Sequence, residues 1–373
     1  MSEHKYWSEM YVNLSDTPKT TEDSFIISLD PPPAYTDDKK VSISFGISPE
    51  EYEEVCNFYN RYNTMSSGNV TLMRPEDLKR YLSFDNISAL LRSQVSQKLI
   101  GCAISLILPV RIGDQNGIIS HGCTTFLLIH PSLRSHGLSM ALIRGLTQRA
   151  YERGIYCDYH MIPFKLGSND VPISSWFRPL KLKEAVELGF LYPDYNNPRS
   201  TRNRLKYHTR LPDKTGYQRI DGMIIQKNNN NAEQSLELYK EWTKDKKFVF
   251  SPDEIMWTKW VQEFPTYLIF KEKLPIGIVS INPIHCIIKD TNQEGKLAMP
   301  MMCVGTDIKA ILSVLINIAF NEGYPVLYIH EQGNLTTEVL ESVGSLKLVS
   351  NMFFSLYNNN IQLKSDDIFV PLI

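Results

Sequence analysis

Residues 130–139 combine positive charge, small side chains and backbone freedom in a way that suits anion binding. Arg134, His136 and Gly137 lie in a short turn between the apolar run 123–129 and a long amphipathic run. The first N–H groups of a helix have no partner within it, and the helix dipole favours negative charge there. The turn is therefore predicted to present backbone N–H groups, supplemented by two basic side chains, to an anionic ligand.

This prediction requires a strand before the turn and a helix after it. Residues 123–129 are apolar enough for a buried strand, and apolar residues recur at helical spacing from residue 138 onward. Gly137 allows the main chain to approach a ligand closely. A strand, a basic turn and a helix in this order suit the pyrophosphate of coenzyme A, and an ordinary strand–helix connection is the alternative.

The carboxyl-terminal segment is unusually apolar. Residues 368–373 read Ile-Phe-Val-Pro-Leu-Ile, and Pro371 stiffens them. A frayed end is the usual fate of a terminus. Six consecutive apolar residues nevertheless favour a buried tail that carries the carboxylate of Ile373 into the interior.

Composition narrows the class of protein. The chain has 373 residues, 43% of them hydrophobic, which suffices for two domain-sized cores or one fused core. A formal charge of −2 lacks the basic excess of a nucleic-acid binder. The six cysteines occur singly, without zinc spacing, and are predicted to be reduced core residues of a cytosolic protein that binds no metal. No segment has the length of a transmembrane helix or the pattern of a signal peptide.

An internal repeat predicts a duplicated fold. Residues 141–154 and 310–323 share, without a gap, an alanine, an aliphatic pair, a leucine, an alanine–aromatic pair and a final glycine. In both segments the apolar residues lie on one helical face. Gly154 and Gly323 are predicted to end the two helices, each of which a strand-like run follows.

The same order of elements precedes both helices. Residues 98–105 and 273–280 are each predicted to lead from a hairpin turn into a buried strand. This shared order favours a tandem duplication over a chance likeness of two amphipathic helices. Only the first copy has the basic turn, because residues 304–309 read Val-Gly-Thr-Asp-Ile-Lys in the second, so one nucleotide site is expected.

Two further features carry weaker chemical signals. Asp158, Tyr159 and His160 form a polar cluster after a buried run; they either line a binding groove or mark a strand end that emerges into solvent. Residues 32–35 match the P-P-x-Y motif that WW domains bind, although a proline-rich wrapping segment explains them more simply.

With these elements in place, the chain resembles the eukaryotic N-myristoyltransferases, which consist of two fused halves of the GNAT acetyltransferase type. Six segments carry the resemblance, in the family's order and over nearly the whole chain. They are residues 4–7 (family H-K-F-W), 126–135 (F-L-C-V-H-x-x-L-R-S), 176–180 (W-H-R-S-L), 214–220 (the K-T-x-G-L-R-P-M junction), 250–254 and 353–358.

The resemblance implies a mixed α/β fold: a tandem duplicated GNAT acyl-CoA N-acyltransferase with two pseudo-symmetric lobes. Residues 1–212 would form the lobe that binds acyl-CoA. Residues 213–373 would form the lobe that binds the peptide and supplies the terminal carboxylate. A monomer in the cytoplasm is also implied.

The family pattern assigns an acyl-CoA site residue by residue. His4, Lys5, Tyr6 and Trp7 would lie against the CoA nucleotide. The thioester and the pyrophosphate would be held by Phe126, Leu127, Leu128, Ile129, Ser135, His136, Gly137, Leu138 and Ser139.

The resemblance also implies which groups are catalytic. The backbone N–H groups of Phe126 and Leu127 would form an oxyanion hole for the thioester carbonyl. The carboxylate of Ile373 would be the general base. An α-amino group has a pKa near 8, so a carboxylate can deprotonate it efficiently only if desolvation raises the carboxyl pKa. Myristoyl-CoA would be a co-substrate, and no metal or other cofactor is needed.

The chain departs from the family pattern where the family binds the acceptor glycine. Thr125 replaces an asparagine, and Met161 replaces a threonine. Residues 344–350, which include Val349, replace the glycine-rich K-F-G-x-G-D-G signature. The CoA half of the site therefore matches the family, whereas the acceptor half is altered.

The implied activity is that of a glycylpeptide N-tetradecanoyltransferase. It would transfer myristoyl from myristoyl-CoA to the N-terminal glycine of a peptide or protein by direct attack of the amine. Three alternatives stay open: a catalytically impaired acyl-CoA-binding relative, a GNAT N-acyltransferase with another acyl chain or acceptor, and an interaction scaffold that uses the P-P-x-Y segment.

Overall fold

The computed structural model describes residues 26–31, 40–63, 70–113, 117–167, 169–187, 223–227, 231–288 and 293–372. Within these ranges the chain forms one sheet of fifteen strands, with eight α-helices packed around it. None of these helices combines the length and the apolar character needed to cross a bilayer.

The strands are β1 (Val41–Phe45), β2 (Val70–Leu72), β3 (Asn86–Ser93), β4 (Leu99–Ile112), β5 (Ile118–Ile129), β6 (Cys157–Ile162), β7 (Val171–Pro179), β8 (Met223–Lys227), β9 (Phe248–Phe250), β10 (Thr266–Lys271), β11 (Leu274–Ile288), β12 (Gln293–Gly305), β13 (Val326–His330), β14 (Leu346–Tyr357) and β15 (Ile368–Phe369). The helices are α1 (Tyr52–Tyr62), α2 (Pro75–Ser83), α3 (Leu138–Glu152), α4 (Leu182–Glu187), α5 (Ala232–Thr243), α6 (Glu254–Glu263), α7 (Ile308–Asn321) and α8 (Thr337–Ser342).

The strand order is symmetric about the centre of the sheet. From edge to edge it runs β1-β3-β4-β5-β6-β14-β7-β13-β12-β11-β10-β8. Counted outward from the central pair, β6, β5, β4, β3 and β1 correspond to β13, β12, β11, β10 and β8. The pairs β5–β6 and β12–β13 are parallel, and each is bridged by one helix of the predicted repeat, α3 or α7. The predicted duplicated α/β fold is confirmed.

The two copies share the sheet rather than sitting side by side. Strand β14 comes from the second copy but pairs with β6 and β7 of the first copy, antiparallel to both. The predicted lobe boundary between residues 212 and 213 lies outside the described residues, so the division 1–212 and 213–373 stays a prediction.

Helices cover both faces of the sheet. On one face, which we call the α3 face, Leu142 of α3 and Leu312 of α7 pack in two separate apolar clusters. On the opposite face, the main-core face, α1, α2, α5 and α6 pack on the sheet, with Trp257 and Trp260 of α6 fully buried. The site described below lies where β5 and β6 pass between these two layers.

Both repeat helices end at the predicted glycine. Gly154 has φ 72° and Gly323 has φ 85°, in the left-handed region that glycine adopts without a steric penalty. The N–H of Ile155 donates to Ala150 O at 2.9 Å and closes the first helix end. The N–H of Tyr324 closes the second end in the same way.

Replacing Gly154 by alanine tests this helix end. A Cβ at Gly154 would meet no atom within 4 Å, so the substitution adds backbone strain and no clash. We expect Gly154→Ala to lower the free energy of unfolding by about 1 kcal/mol in denaturant melts. Gly117→Ala is the matched control, since a Cβ there is equally unobstructed and its φ is not left-handed. Equal effects at the two positions would contradict the explanation by backbone strain.

Candidate active site

Strand β5 has a bulge at the two residues predicted to bind the thioester carbonyl. Its register with β4 shifts between Cys102 and Ile104, so that Phe126 and Leu127 lie opposite a single residue. Phe126 has φ 55°, which costs a bulky residue about 1–3 kcal/mol. A bulge removes its residues from the strand ladder and releases backbone N–H groups. The bulge thus has the local geometry that an oxyanion hole requires.

Side chains from three other elements hold the strained residue. The ring of Phe126 makes edge-to-face contacts with Tyr59 of α1 and Tyr81 of α2, at centroid distances of 5.6 and 4.9 Å. The thiol of Cys102 donates to Phe126 O at 3.9 Å. Asn282 Nδ2, from the second copy, donates to the Tyr81 hydroxyl at 2.8 Å. The sequence motif does not predict these supports, because they are distant along the chain.

Strands β5 and β6 separate next to the bulge. Their parallel register covers His121 to Cys123 on β5 and Cys157 to Tyr159 on β6, although both strands continue further. We call the space beyond the Cys123–Tyr159 pair the β5–β6 opening. The edge of β5 that carries the bulge is therefore uncovered by β6 and accessible to a ligand.

The turn after β5 has the geometry predicted for an anion site. Ser135 and Gly137 have φ 68° and 75°, and alternation with such left-handed residues turns successive N–H groups toward one concavity. Gly137 is the N-cap of α3, and no side chain caps the helix. We call residues 134–139 the anion cradle, because the first N–H groups of α3 remain free for a ligand.

The two basic side chains of the cradle also have structural partners. Arg134 donates from Nε to Ile129 O at 3.2 Å and from Nη2 to Tyr62 O at 3.4 Å, which ties the turn to β5 and α1. His136 Nδ1 lies 3.0 Å from Arg134 O. Both side chains are exposed, and Arg134 also lines the groove beside the turn.

A groove of about 430 Å³ runs from the bulge to the cradle. Its walls are Tyr62, Asn63, Leu127, Leu128, Ile129, Leu133, Arg134, Ser135, Leu138 and Ser139. Six of the predicted site residues lie in these walls, whereas Phe126, His136 and Gly137 shape the groove from beside it. Tyr62 and Asn63 were not predicted, since α1 is far from the motif in sequence. His4, Lys5, Tyr6 and Trp7 lie outside the described residues.

The carboxyl-terminal tail reaches the same region from the main-core face. Ile368, Phe369, Val370 and Leu372 are at most 6% exposed, so the predicted burial is confirmed as far as Leu372. The Tyr159 hydroxyl donates to the carbonyl of Pro371 at 3.2 Å and holds the tail beside the β5–β6 opening. Ile373 itself lies outside the described residues.

The three altered acceptor positions occupy different surroundings. Thr125 is buried and pairs with Ile104, which faces the main core. Met161 packs against the same core from β6. Val349 is fully exposed in an irregular part of β14, so its side chain faces solvent rather than the opening.

Thiols close to the bulge remain protonated at neutral pH. Burial raises the pKa of Cys102 to about 12 and has the same effect on Cys123. Only the thiolate is an effective nucleophile. A covalent acyl-cysteine intermediate at these positions is therefore disfavoured.

Solved structures of known proteins share the fold of this chain. The duplicated sheet, with one helix crossing each parallel strand pair, is the arrangement of two fused GNAT-type halves. Saccharomyces cerevisiae N-myristoyltransferase with bound myristoyl-CoA has the same fold, with a TM-score of 0.80 at 16% identity and 100% coverage of both chains. A second structure of that enzyme with myristoyl-CoA has a TM-score of 0.80 at 15% identity and covers 100% of this chain and 95% of that one.

Sequence comparison gives a shorter match. The glycylpeptide N-tetradecanoyltransferase of Emericella nidulans is 30% identical over 128 residues, which are 33% of this chain and only 25% of that protein. No family model matches the chain. The chain thus has the N-myristoyltransferase fold, and its resemblance to that family is confirmed.

A negative charge at the cradle tests its role. Ser139 lies in the first turn of α3 and is exposed, so Ser139→Glu should leave stability unchanged or slightly raised by its favourable interaction with the helix dipole. The same carboxylate would repel a pyrophosphate, and we expect the Kd for CoA to rise on the order of tenfold in calorimetry. Ser96→Glu, on the exposed β3–β4 turn, is the control. Unchanged CoA affinity in Ser139→Glu would contradict the cradle.

Proposed function

We propose that this protein is a glycylpeptide N-tetradecanoyltransferase, which transfers a myristoyl group from myristoyl-CoA to an N-terminal glycine. The observation that carries the proposal is the strained bulge at Phe126 and Leu127. It lies between the anion cradle, at the start of α3, and the buried tail on the main-core face. These three features supply a place for the oxyanion, for the pyrophosphate and for a base.

The bulge stabilises the developing negative charge. Attack on the thioester carbonyl converts its oxygen into an oxyanion, and N–H donors fixed in advance near that oxygen lower the barrier by about 3–4 kcal/mol per donor. Phe126 and Leu127 would supply these donors. The aromatic contacts of Phe126 with Tyr59 and Tyr81 keep the donors in place, so that no reorganisation is needed during the reaction.

The terminal carboxylate of Ile373 would accept a proton from the substrate's terminal ammonium, which frees the amine lone pair for attack. Leu372, its neighbour, is 2% exposed, which favours a poorly solvated carboxylate. Loss of solvation raises the pKa of a carboxyl group and brings its basicity closer to that of the amine. The link between Tyr159 and Pro371 would position this group at the β5–β6 opening.

A second candidate function is acyl-CoA binding without transfer. Two replacements at the acceptor positions favour it. Met161 stands where the family has a threonine, and its thioether cannot make the hydrogen bonds of a hydroxyl. Thr125 stands where the family has an asparagine, and its side chain is shorter. Both residues belong to the acceptor side of the site, so these replacements would leave acyl-CoA binding intact. Transfer remains the better supported candidate, because the proposed oxyanion donors and the proposed base are main-chain groups.

The proposal extends to the setting of the protein. All six cysteines are free and buried, which fits a reducing compartment such as the cytosol. We expect the protein to act there as a monomer on myristoyl-CoA and on proteins with an N-terminal glycine.

An acyl-transfer assay with a shortened tail tests the proposal. The full chain is mixed with labelled myristoyl-CoA and a peptide that begins with glycine, and is compared with a variant that lacks Leu372 and Ile373. We expect the full chain to form the myristoyl-peptide and the variant to lose roughly 100-fold or more in rate, because it lacks the positioned base. A semisynthetic protein with a C-terminal amide is the matched control, since it keeps Leu372 and Ile373 and lacks only the negative charge of the terminal carboxylate.

The outcomes separate the candidates. Unchanged turnover in the shortened and amidated proteins would exclude the carboxylate as base. Binding of myristoyl-CoA without transfer by the full chain would favour the second candidate. Faster transfer from acetyl-CoA than from myristoyl-CoA would indicate a different acyl specificity.

A further inference from the structure

A charged cluster lies at the β5–β6 opening on the face opposite to the tail. Asp158 and His160 are two residues apart on β6, so their side chains point to the same side of the sheet, away from Tyr159. Tyr357, which pairs with Asp158, packs against Met140 of α3. Asp158 and His160 therefore lie on the α3 face, against which the helix that carries the anion cradle packs.

The bonds of the cluster orient the imidazole. Thr124 Oγ1 donates to Asp158 Oδ2 at 2.6 Å, and Ser105 Oγ donates to the same oxygen at 3.2 Å. The other oxygen, Oδ1, lies 3.2 Å from His160 Nδ1. Because a carboxylate can only accept, Nδ1 carries the hydrogen of this bond. The arrangement holds the ring in one orientation and directs Nε2 away from Asp158.

The surrounding strand makes room for the carboxylate. A Cβ at Gly122 would overlap Asp158 Oδ2 and would lie 2.7 Å from Ser105 Oγ. Glycine within a strand costs about 0.5–1 kcal/mol relative to alanine. The cluster thus depends on residues of three adjacent strands, β4, β5 and β6. Gly122 of β5 makes space for the carboxylate although glycine is unfavourable within a strand.

The remaining nitrogen of His160 is accessible. The side chains of Asp158 and His160 are each 20% exposed. Within the described part of the chain no hydrogen bond reaches Nε2, and this atom is not sealed from solvent. The cluster therefore presents an oriented imidazole with one reachable nitrogen.

The two faces of the opening suggest a division of roles. If the cradle binds the pyrophosphate, as the proposed function requires, the rest of CoA approaches the opening from the α3 face. The amine and the base lie on the main-core face, beside the tail. We propose that His160 donates a proton to the CoA sulfur as it leaves, and that Asp158 is the positioning residue that orients His160.

The proposed step balances in atoms and charge. The Ile373 carboxylate first takes one proton from the ammonium and passes it to solvent. The free amine then forms a bond to the carbonyl carbon and gives its second proton to the same carboxylate. The carbon–sulfur bond breaks with its electron pair on sulfur, which receives a proton from Nε2 of the imidazolium, the form of His160 in which both ring nitrogens carry hydrogen. The imidazole then regains a proton from solvent. A thiolate is a stronger base than an imidazole, so the transfer runs toward sulfur.

Replacing the leaving atom tests this step. Single-turnover rates are measured with myristoyl-CoA and with its selenium analogue, because a selenolate is the weaker base and departs without a proton. We expect His160→Gln to slow transfer from the sulfur ester by about 100-fold and to slow the selenium ester far less. Asp158→Asn should show the same selectivity with a smaller loss. His285→Gln, which changes a half-buried histidine on β11, should leave both rates unchanged.

Three results would overturn the proposal or separate it from the proposed function. Equal losses with both esters in His160→Gln would mean a structural or binding role for His160. Unchanged rates with both esters would exclude any role in the chemistry. Failure of the unmodified chain to transfer from either ester would contradict the proposed function itself. Binding of a non-reactive thioether analogue of myristoyl-CoA shows that each variant is folded. If His160→Gln does not fold, the rates of Asp158→Asn with the two esters test the proposal instead.

Discussion

The strained backbone at Phe126 is the constraint on which the site depends. A phenylalanine with φ 55° persists only if its surroundings fix it, and here three separate elements do so. Tyr59 and Tyr81 press on its ring from two helices, and Cys102 donates to its carbonyl from the neighbouring strand. Asn282 extends this support into the second copy through Tyr81. The packing of the main core is therefore also what shapes the bulge.

The two copies of the duplicated fold differ at the start of the equivalent helices α3 and α7. In the first copy Gly137 begins α3 without a side-chain cap, and the N–H groups stay free. In the second copy Asp307 begins α7, and its carboxylate already accepts from Ala310 N at 3.1 Å. An acidic cap both occupies these donors and repels an anion. The same helix position thus leaves N–H donors available for a ligand in one copy and has an acidic cap in the other.

The sheet separates the two sides of the proposed reaction. Its main-core face carries Tyr159 and the buried tail, and its α3 face carries the cradle and the Asp158–His160 pair. Between these two faces, in the part of the chain that the structure describes, β5 and β6 diverge beyond the Cys123–Tyr159 pair. An acyl group bound at this opening would meet an amine from one side, and its thiol would leave on the other. The proposed base, the Ile373 carboxylate, and the proposed acid, His160, would therefore act from opposite faces of the sheet.

The features that the sequence determined by itself depend on residues that lie close together in the chain. Helical periodicity with Gly154 and Gly323, the basic turn at residues 134–139 and the apolar tail are short-range patterns, and they predicted the duplicated α/β fold, the free helix end and the burial found as far as Leu372. The tertiary structure alone decided which distant residues meet. It placed β14 between β6 and β7, set Tyr81 and Asn282 behind Phe126, and joined Ser105 and Thr124 to Asp158 across three strands. Strand register is set by long-range pairing and packing, which single-sequence patterns do not encode.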